Sequence, residues 1–159
     1  MSALEAIVYE RGALKLLDQL KLPLETTYVD VRDCDACWRC IKDMRVRGAP
    51  AIAIAAALAL AVELDAKRRT LTTCALVEAF VRERFDHMYT SRPTAVNLGE
   101  ARRRIQTLAT RLCQGGDVLR MIEGVIEGCE AMHAEDVASC RAIGEKGAAA
   151  LLRACGAKT

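Results

Sequence analysis

Met44-Arg45-Val46-Arg47-Gly48-Ala49-Pro50-Ala51-Ile52 leads into an alanine-rich apolar run that continues to Val62. Gly48 interrupts the pattern before it. Proline suits the first turn of a helix, where its missing N–H has no intrahelical partner to lose. A helix is therefore expected to begin near Ala49 or Pro50 and to run to about Ala66. Residues 49–62 are too few and too rich in alanine to read as a bilayer span. They read as the buried helix of a bundle, and no membrane partner is expected.

Working outward from that helix, the downstream chain repeats one pattern. Val77, Val81, Phe85 and Met88 form an apolar stripe at helical spacing, as do Leu98, Ala101, Ile105, Leu108 and Leu112. Val118, Met121, Val125, Cys129 and Met132 form another after Gly115-Gly116. Each stripe is one face of an amphipathic helix. Helical pattern then continues to about Cys155, as one long helix or one broken helix. Upstream, Asp33 is placed to cap a helix running to about Met44.

The first thirty residues differ. Ala6-Ile7-Val8-Tyr9, the stretch after Gly12, and Thr26-Thr27-Tyr28-Val29-Asp30-Val31 read as two or three short antiparallel strands. Pro23 makes its segment an edge or a connector. The expected fold class is α+β and mostly α: a small N-terminal antiparallel β sheet followed by a helical bundle of five or six helices. The expected division is a sheet region at 1–32, a bundle at 33–132, and a connecting helix at 133–159.

Composition narrows the function classes. Aromatics make up 4% of the chain, which favours helix over sheet, and the net charge is +2. That balance carries no strong field, and no nucleic-acid partner is expected. The clusters Lys67-Arg68-Arg69 and Arg102-Arg103-Arg104 read as solvated helix surface, since no aromatics interleave with them as on a base-stacking platform. There are eight cysteines. Met1 to Tyr9 has no basic segment leading an apolar core, so the expected compartment is reducing and the thiols free.

Among the motifs, Cys34-x-x-Cys37-x-x-Cys40 invites a metal reading. On a helix, however, the spacing of three sets the cysteines on one face, where they behave as small hydrophobes. No fourth ligand stands at suitable spacing, and no metal is expected. His87 and His133 are isolated from each other and from any nucleophile signature. Arg47-Gly48-Ala49-Pro50 is more informative. Glycine allows close backbone approach, the helix start offers free N–H groups and a positive dipole end, and Arg47 adds a forked cation. Together they suit a phosphate; the plain alternative is a glycine turn into a helix. In Ser91-Arg92-Pro93-Thr94, Pro93 restrains Arg92 to an extended conformation, so its guanidinium would project from a loop. Ser91 or Thr94 could cap the next helix, and a capping loop is the plain alternative.

The order of these segments resembles the methylthioribose-1-phosphate isomerases over nearly the whole chain. The resemblance runs through Leu16-Leu17-Asp18-Gln19, Leu22-Pro23-Leu24-Glu25, Met44 to Ile52, Ser91-Arg92-Pro93-Thr94-Ala95-Val96-Asn97-Leu98 and Ile143-Gly144-Glu145-Lys146-Gly147-Ala148. That family shares ancestry with the regulatory subunits of translation initiation factor 2B. Those relatives do not, as a rule, keep the full Arg-Gly-Ala-Pro-Ala motif.

The resemblance implies isomerisation of 5-methylthioribose 1-phosphate to 5-methylthioribulose 1-phosphate, in methionine salvage, without metal or nucleotide cofactor. It implies substrate binding by Arg47, Gly48, Ala49 and Arg92. It places the catalytic cysteine and aspartate in a Rossmann-like C-terminal domain. Arg153-Ala154-Cys155-Gly156 does not match the segment that carries that cysteine, so no residue of this chain is expected to be catalytic. A homodimer formed through the C-terminal domain is implied, in the cytoplasm and with the nucleus as a second compartment. Three readings compete: part of an enzyme, a non-catalytic regulatory subunit of the initiation-factor type, and a plain helical interaction module.

Overall fold

The computed structural model describes residues 4–156, so positions 1–3 and 157–159 of the expected sheet and connecting-helix regions lie outside the described residues. Three strands, β1 (Ile7–Glu10), β2 (Ala13–Leu17) and β3 (Tyr28–Val31), form an antiparallel sheet in chain order. Gly12, at φ 84°, turns the chain between β1 and β2. Leu16 faces Ile7 on one side and Val29 on the other. Leu14, Leu16 and Val31 bury the inner face against the helices, while Lys15 points outward, as the two-residue strand period requires. Residues 18–27, including Pro23, connect β2 to β3.

Five helices follow: α1 (Cys34–Lys42), α2 (Ala49–Ala66), α3 (Cys74–Tyr89), α4 (Val96–Cys113) and α5 (Val118–Ala154). Helix α2 is the axis of the bundle and packs against all four others. It is buried without a break from Ile52 to Leu64. By length and composition this 18-residue helix could cross a membrane, contrary to the expectation from residues 49–62 alone, yet the fold encloses it. Stripe residues Val77, Val81, Phe85 and Met88 of α3 are all buried, as are Leu98, Ala101 and Ile105 of α4.

Two details differ from the sequence expectation. Helix α1 stops at Lys42 rather than Met44, because Met44 takes φ 62° and Arg45 N–H turns back to the Cys40 carbonyl. In α4, Ala109 is buried while Leu108 and Leu112 stay half-buried, lying over Gly128 and Gly124 of α5. Of the two alternatives for the C-terminal pattern, α5 is the one long helix, a single 37-residue element. Its burial fades near that point, and residues 141–154 are exposed.

An ion-pair cluster ties the β1–β2 turn to α5. Arg11 bridges Glu123 and Glu130, Arg68 bridges Glu123 and Asp65, and Tyr9 donates to Glu130 at 2.8 Å. The hydrogen bonds from Arg11 hold both Glu123 and Glu130 below the usual 4.5 of a glutamate. Depressed carboxylates stabilise the fold fully above their unfolded value and lose that contribution as pH falls through the folded one. Urea midpoints are expected to fall as pH drops below about 4.5, and less steeply in Arg11→Ala. Equal slopes in the two proteins would remove the cluster as a source of acid sensitivity.

Candidate functional site at two helix entrances

Helices α1, α3 and α5 begin with side-chain caps: Asp33, Thr73 and Asp117 each accept from the backbone N–H three residues on. Helices α2 and α4 do not. Gly48 and Ala95 occupy their N-cap positions, with no side-chain cap and no acidic residue in the first turn. The first N–H groups of a helix have no partner within it, and the dipole makes this end positive. These two uncapped starts are the two motifs singled out in the sequence.

At the α2 entrance, Gly48 sits at φ 105°, a conformation an L side chain resists. A Cβ there would meet only Ala51 Cβ at 3.7 Å, so backbone strain, not space, requires the glycine. Arg47, Gly48, Ala49 and Pro50 are all exposed. The approach to them is pinned from a distance. Arg45 Nη1 donates to the buried Asp18 carboxylate at 3.2 Å, and Gln19 N–H donates to the Arg45 carbonyl at 2.9 Å. The Arg47 guanidinium reaches the Gln19 carbonyl at 3.2 Å, and Gln19 Nε2 reaches the Arg47 carbonyl at 3.4 Å. Asp18 and Gln19 thus position the Arg47–Gly48 turn, a role their sequence context did not reveal because their partners lie 27–28 residues away.

At the α4 entrance, Arg92 is exposed in the loop, as expected, and among the described residues its guanidinium makes no ion pair. The expected capping does not occur. Ser91 is buried, and its hydroxyl donates to the Met88 carbonyl at 2.6 Å, so it closes α3 instead of opening α4. Thr94 is likewise not the cap, since Ala95 holds that position. The loop is braced by Tyr89, whose hydroxyl donates to the Pro93 carbonyl at 2.5 Å. Trp38 Nε1–H donates to Thr90 Oγ1 at 2.9 Å. Gly99 leaves room for the Tyr89 ring, 3.3 Å from where a Cβ would sit.

The two entrances share one cavity of about 400 Å³. Pro50 and Ala53 of α2 and Val96 and Asn97 of α4 line it, and α5 contributes Glu135 and Asp136. Arg47 and Arg92 precede these walls in the chain and are not among the lining residues. On the α5 side, Arg104 is held in a two-armed pair by Glu135 at 2.6 and 2.7 Å. That pairing neutralises the one cation of the cavity lining. The lining also carries Glu100 and Asp136, so an anion is disfavoured within the cavity and better served at the helix starts, where N–H groups and the exposed Arg47 and Arg92 lie.

The other candidates carry no such geometry. Cys34, Cys37 and Cys40 are buried in the core, and burial raises all three thiols above the ordinary value. His87 pairs with Asp35 at 2.8 Å and stacks on Trp38. In the basic clusters, Arg68, Arg102 and Arg104 are engaged with carboxylates on the surface.

Residues 45–154 match the Initiation factor 2 subunit family. The chain is 84% identical over 158 residues to a methylthioribose-1-phosphate isomerase of Ostreococcus lucimarinus, covering 99% of this chain and 43% of that protein. It is 48% identical over 156 residues to one from Hordeum vulgare, covering 98% and 42%. Among solved structures, 5-methylthioribose 1-phosphate isomerase from Pyrococcus horikoshii superimposes with a TM-score of 0.77 at 25% identity, over 86% of this chain and 38% of that one. The delta subunit of translation initiation factor eIF-2B from A. fulgidus gives 0.73 at 30% identity, over 85% and 38%. The chain thus spans about two fifths of the length of the relatives it matches. Both helix entrances lie inside the matched region, and the chain belongs to the Initiation factor 2 subunit family.

Proposed function

We propose that this chain is the N-terminal, substrate-binding part of a methylthioribose-1-phosphate isomerase. The observation that carries the reading is the convergence of two uncapped helix starts on one cavity, each preceded by an exposed arginine. The 84% identity to the Ostreococcus enzyme supplies the substrate. Arg47 and the N–H groups of Gly48 and Ala49 hold the phosphate, and Arg92 orients the sugar; neither act requires a metal or nucleotide cofactor. Fixing the substrate in one geometry lowers the entropic part of the barrier. The phosphate on the anomeric carbon blocks simple ring opening, so proton transfer needs groups of tuned acidity in a closed site. In this proposal a cysteine and an aspartate of a Rossmann-like C-terminal domain supply them. The same domain forms a homodimer, and the enzyme works in the cytoplasm.

A second reading, a regulatory subunit related to initiation factor 2B, draws on the likeness to the A. fulgidus subunit. The complete Arg47-Gly48-Ala49-Pro50-Ala51 motif favours the isomerase. Titrating the ¹⁵N-labelled chain with 5-methylthioribose 1-phosphate separates the two. The isomerase reading expects the largest amide shifts at Gly48, Ala49 and Ala51 and at Val96–Leu98, with a half-site Kd on the order of 1 mM. No shift at those amides overturns it and leaves the regulatory reading.

A further inference from the structure

We propose that Cys74 and Cys113 are a paired oxidation site that closes the open end of the α3–α4 hairpin with a reversible disulfide. The two helices run antiparallel in a register marked by four contacts. Arg102 pairs with Asp86 at 2.7 Å, Gln106 reaches Asp86 at 2.8 Å and the Arg82 carbonyl at 3.3 Å, and Thr110 donates to Glu78 at 2.6 Å. The next turn of α4 brings Cys113 opposite Cys74, the first residue of α3. On this register the Cys113 thiol comes within interaction range of the Cys74 thiol and the Glu78 carboxylate. Both cysteines are half-buried, unlike the enclosed Cys34, Cys37, Cys40 and Cys129, so a small oxidant reaches them.

The neighbours divide the chemistry between the two sulfurs. Burial and the adjacent Glu78 keep Cys113 protonated, whereas Glu78 itself is held ionised by its bond from Thr110. Cys74 is therefore the attacking sulfur and a peroxide the oxidant. The Cys74 thiolate attacks one oxygen of hydrogen peroxide; the O–O bond breaks, leaving Cys74 as a sulfenic acid and releasing hydroxide. The Cys113 sulfur then attacks the Cys74 sulfur; the S–S bond forms, the sulfenic S–O bond breaks, and the Cys113 proton passes through the Glu78 carboxylate to the departing hydroxyl, which leaves as water, while the hydroxide of the first step takes up the proton that left Cys74. The net change is two thiols and one peroxide to one disulfide and two waters. The closed ring contains the Arg92 loop at its far end.

The test uses the chain with Cys140→Ser and Cys155→Ser, which removes the exposed cysteines within and just after α5 and with them intermolecular linkage. After treatment with hydrogen peroxide, free thiols are alkylated and the digest is read by mass spectrometry. A Cys74–Cys113 linked peptide is expected, two hydrogen masses lighter than the separate thiols and restored by dithiothreitol. The linked protein is expected to melt roughly 5–15 °C higher, from the reduced freedom of the unfolded ring. In Cys113→Ser, dimedone should trap a sulfenic acid at Cys74; in Cys74→Ala, Cys113 should stay a thiol. In Glu78→Gln, trapped sulfenic acid should rise several-fold because closure slows. Recovery of both cysteines as alkylated thiols, or as separate sulfinic acids without a linked peptide, overturns the proposal. Both outcomes are independent of whether the chain binds a sugar phosphate.

Discussion

Arg47→Ala together with Arg92→Ala is expected to erase the amide shifts that 5-methylthioribose 1-phosphate causes at Gly48 and Val96, at any practical ligand concentration. A charge-assisted hydrogen bond is worth about 1.5–3 kcal/mol, so each arginine removed weakens binding roughly 10- to 100-fold. Arg92 is the cleaner of the two, because among the described residues no ion pair engages it and its loss leaves the loop braced by Tyr89 and Trp38. Arg47 also holds the Gln19 carbonyl, so its removal costs some order at the turn as well as a charge. Lysine at either position keeps the charge but not the fork, and should fall between arginine and alanine. Salt gives an independent check. Raising ionic strength weakens binding to the parent chain by screening its arginines, and the doubly substituted chain should lose that sensitivity. Parent-like binding by the double variant, with its helical spectrum intact, would sink the assignment of both residues.

How far the sequence revealed this arrangement depended on the range of each interaction. Local signals were legible: Asp33 caps α1, Gly48 and Pro50 open α2, and the stripe from Val77 to Met88 faces the core. So was the exposure of Arg47 and Arg92, since glycine and proline act on their immediate neighbours. What failed were choices between two local partners. Ser91 can bond forward to α4 or back to α3, and burial among the α3 residues decided for Met88. The continuity of α5 was open for a related reason. Four glycines lie along it, each costing about 1 kcal/mol in a helix. Gly124 and Gly128 recover that through close contact with Leu112 and Leu108, which only the packed pair of helices reveals. The Asp18–Arg45 pair and the shared cavity depend on contacts across the fold, and no spacing rule reports them.

Asp18→Ala tests the least legible of these contacts. The Asp18 carboxylate is 4% exposed, accepts from Leu20 N–H at 3.2 Å and from Arg45 at 3.2 Å, and anchors the chain that leads to Gly48. Truncation leaves the Leu20 N–H and the Arg45 guanidinium without their acceptor. Arg45 is 42% exposed and regains water, so the loss is smaller than for a fully enclosed pair, about 2 kcal/mol. For a chain of this size that corresponds to a melting point lower by roughly 4–8 °C. Asp18→Asn keeps the acceptor for Leu20 and should recover part of the loss. The functional consequence separates positioning from stability. Val77→Ala, in the core of α3, removes a similar about 2 kcal/mol by leaving a cavity, yet it touches neither helix entrance. At a temperature where both variants are fully folded, Asp18→Ala should weaken sugar-phosphate binding several-fold and broaden the Arg47 and Gly48 amides, while Val77→Ala should bind as the parent does. Equal affinity in the two would mean that Asp18 holds the fold together without setting the geometry of the α2 entrance.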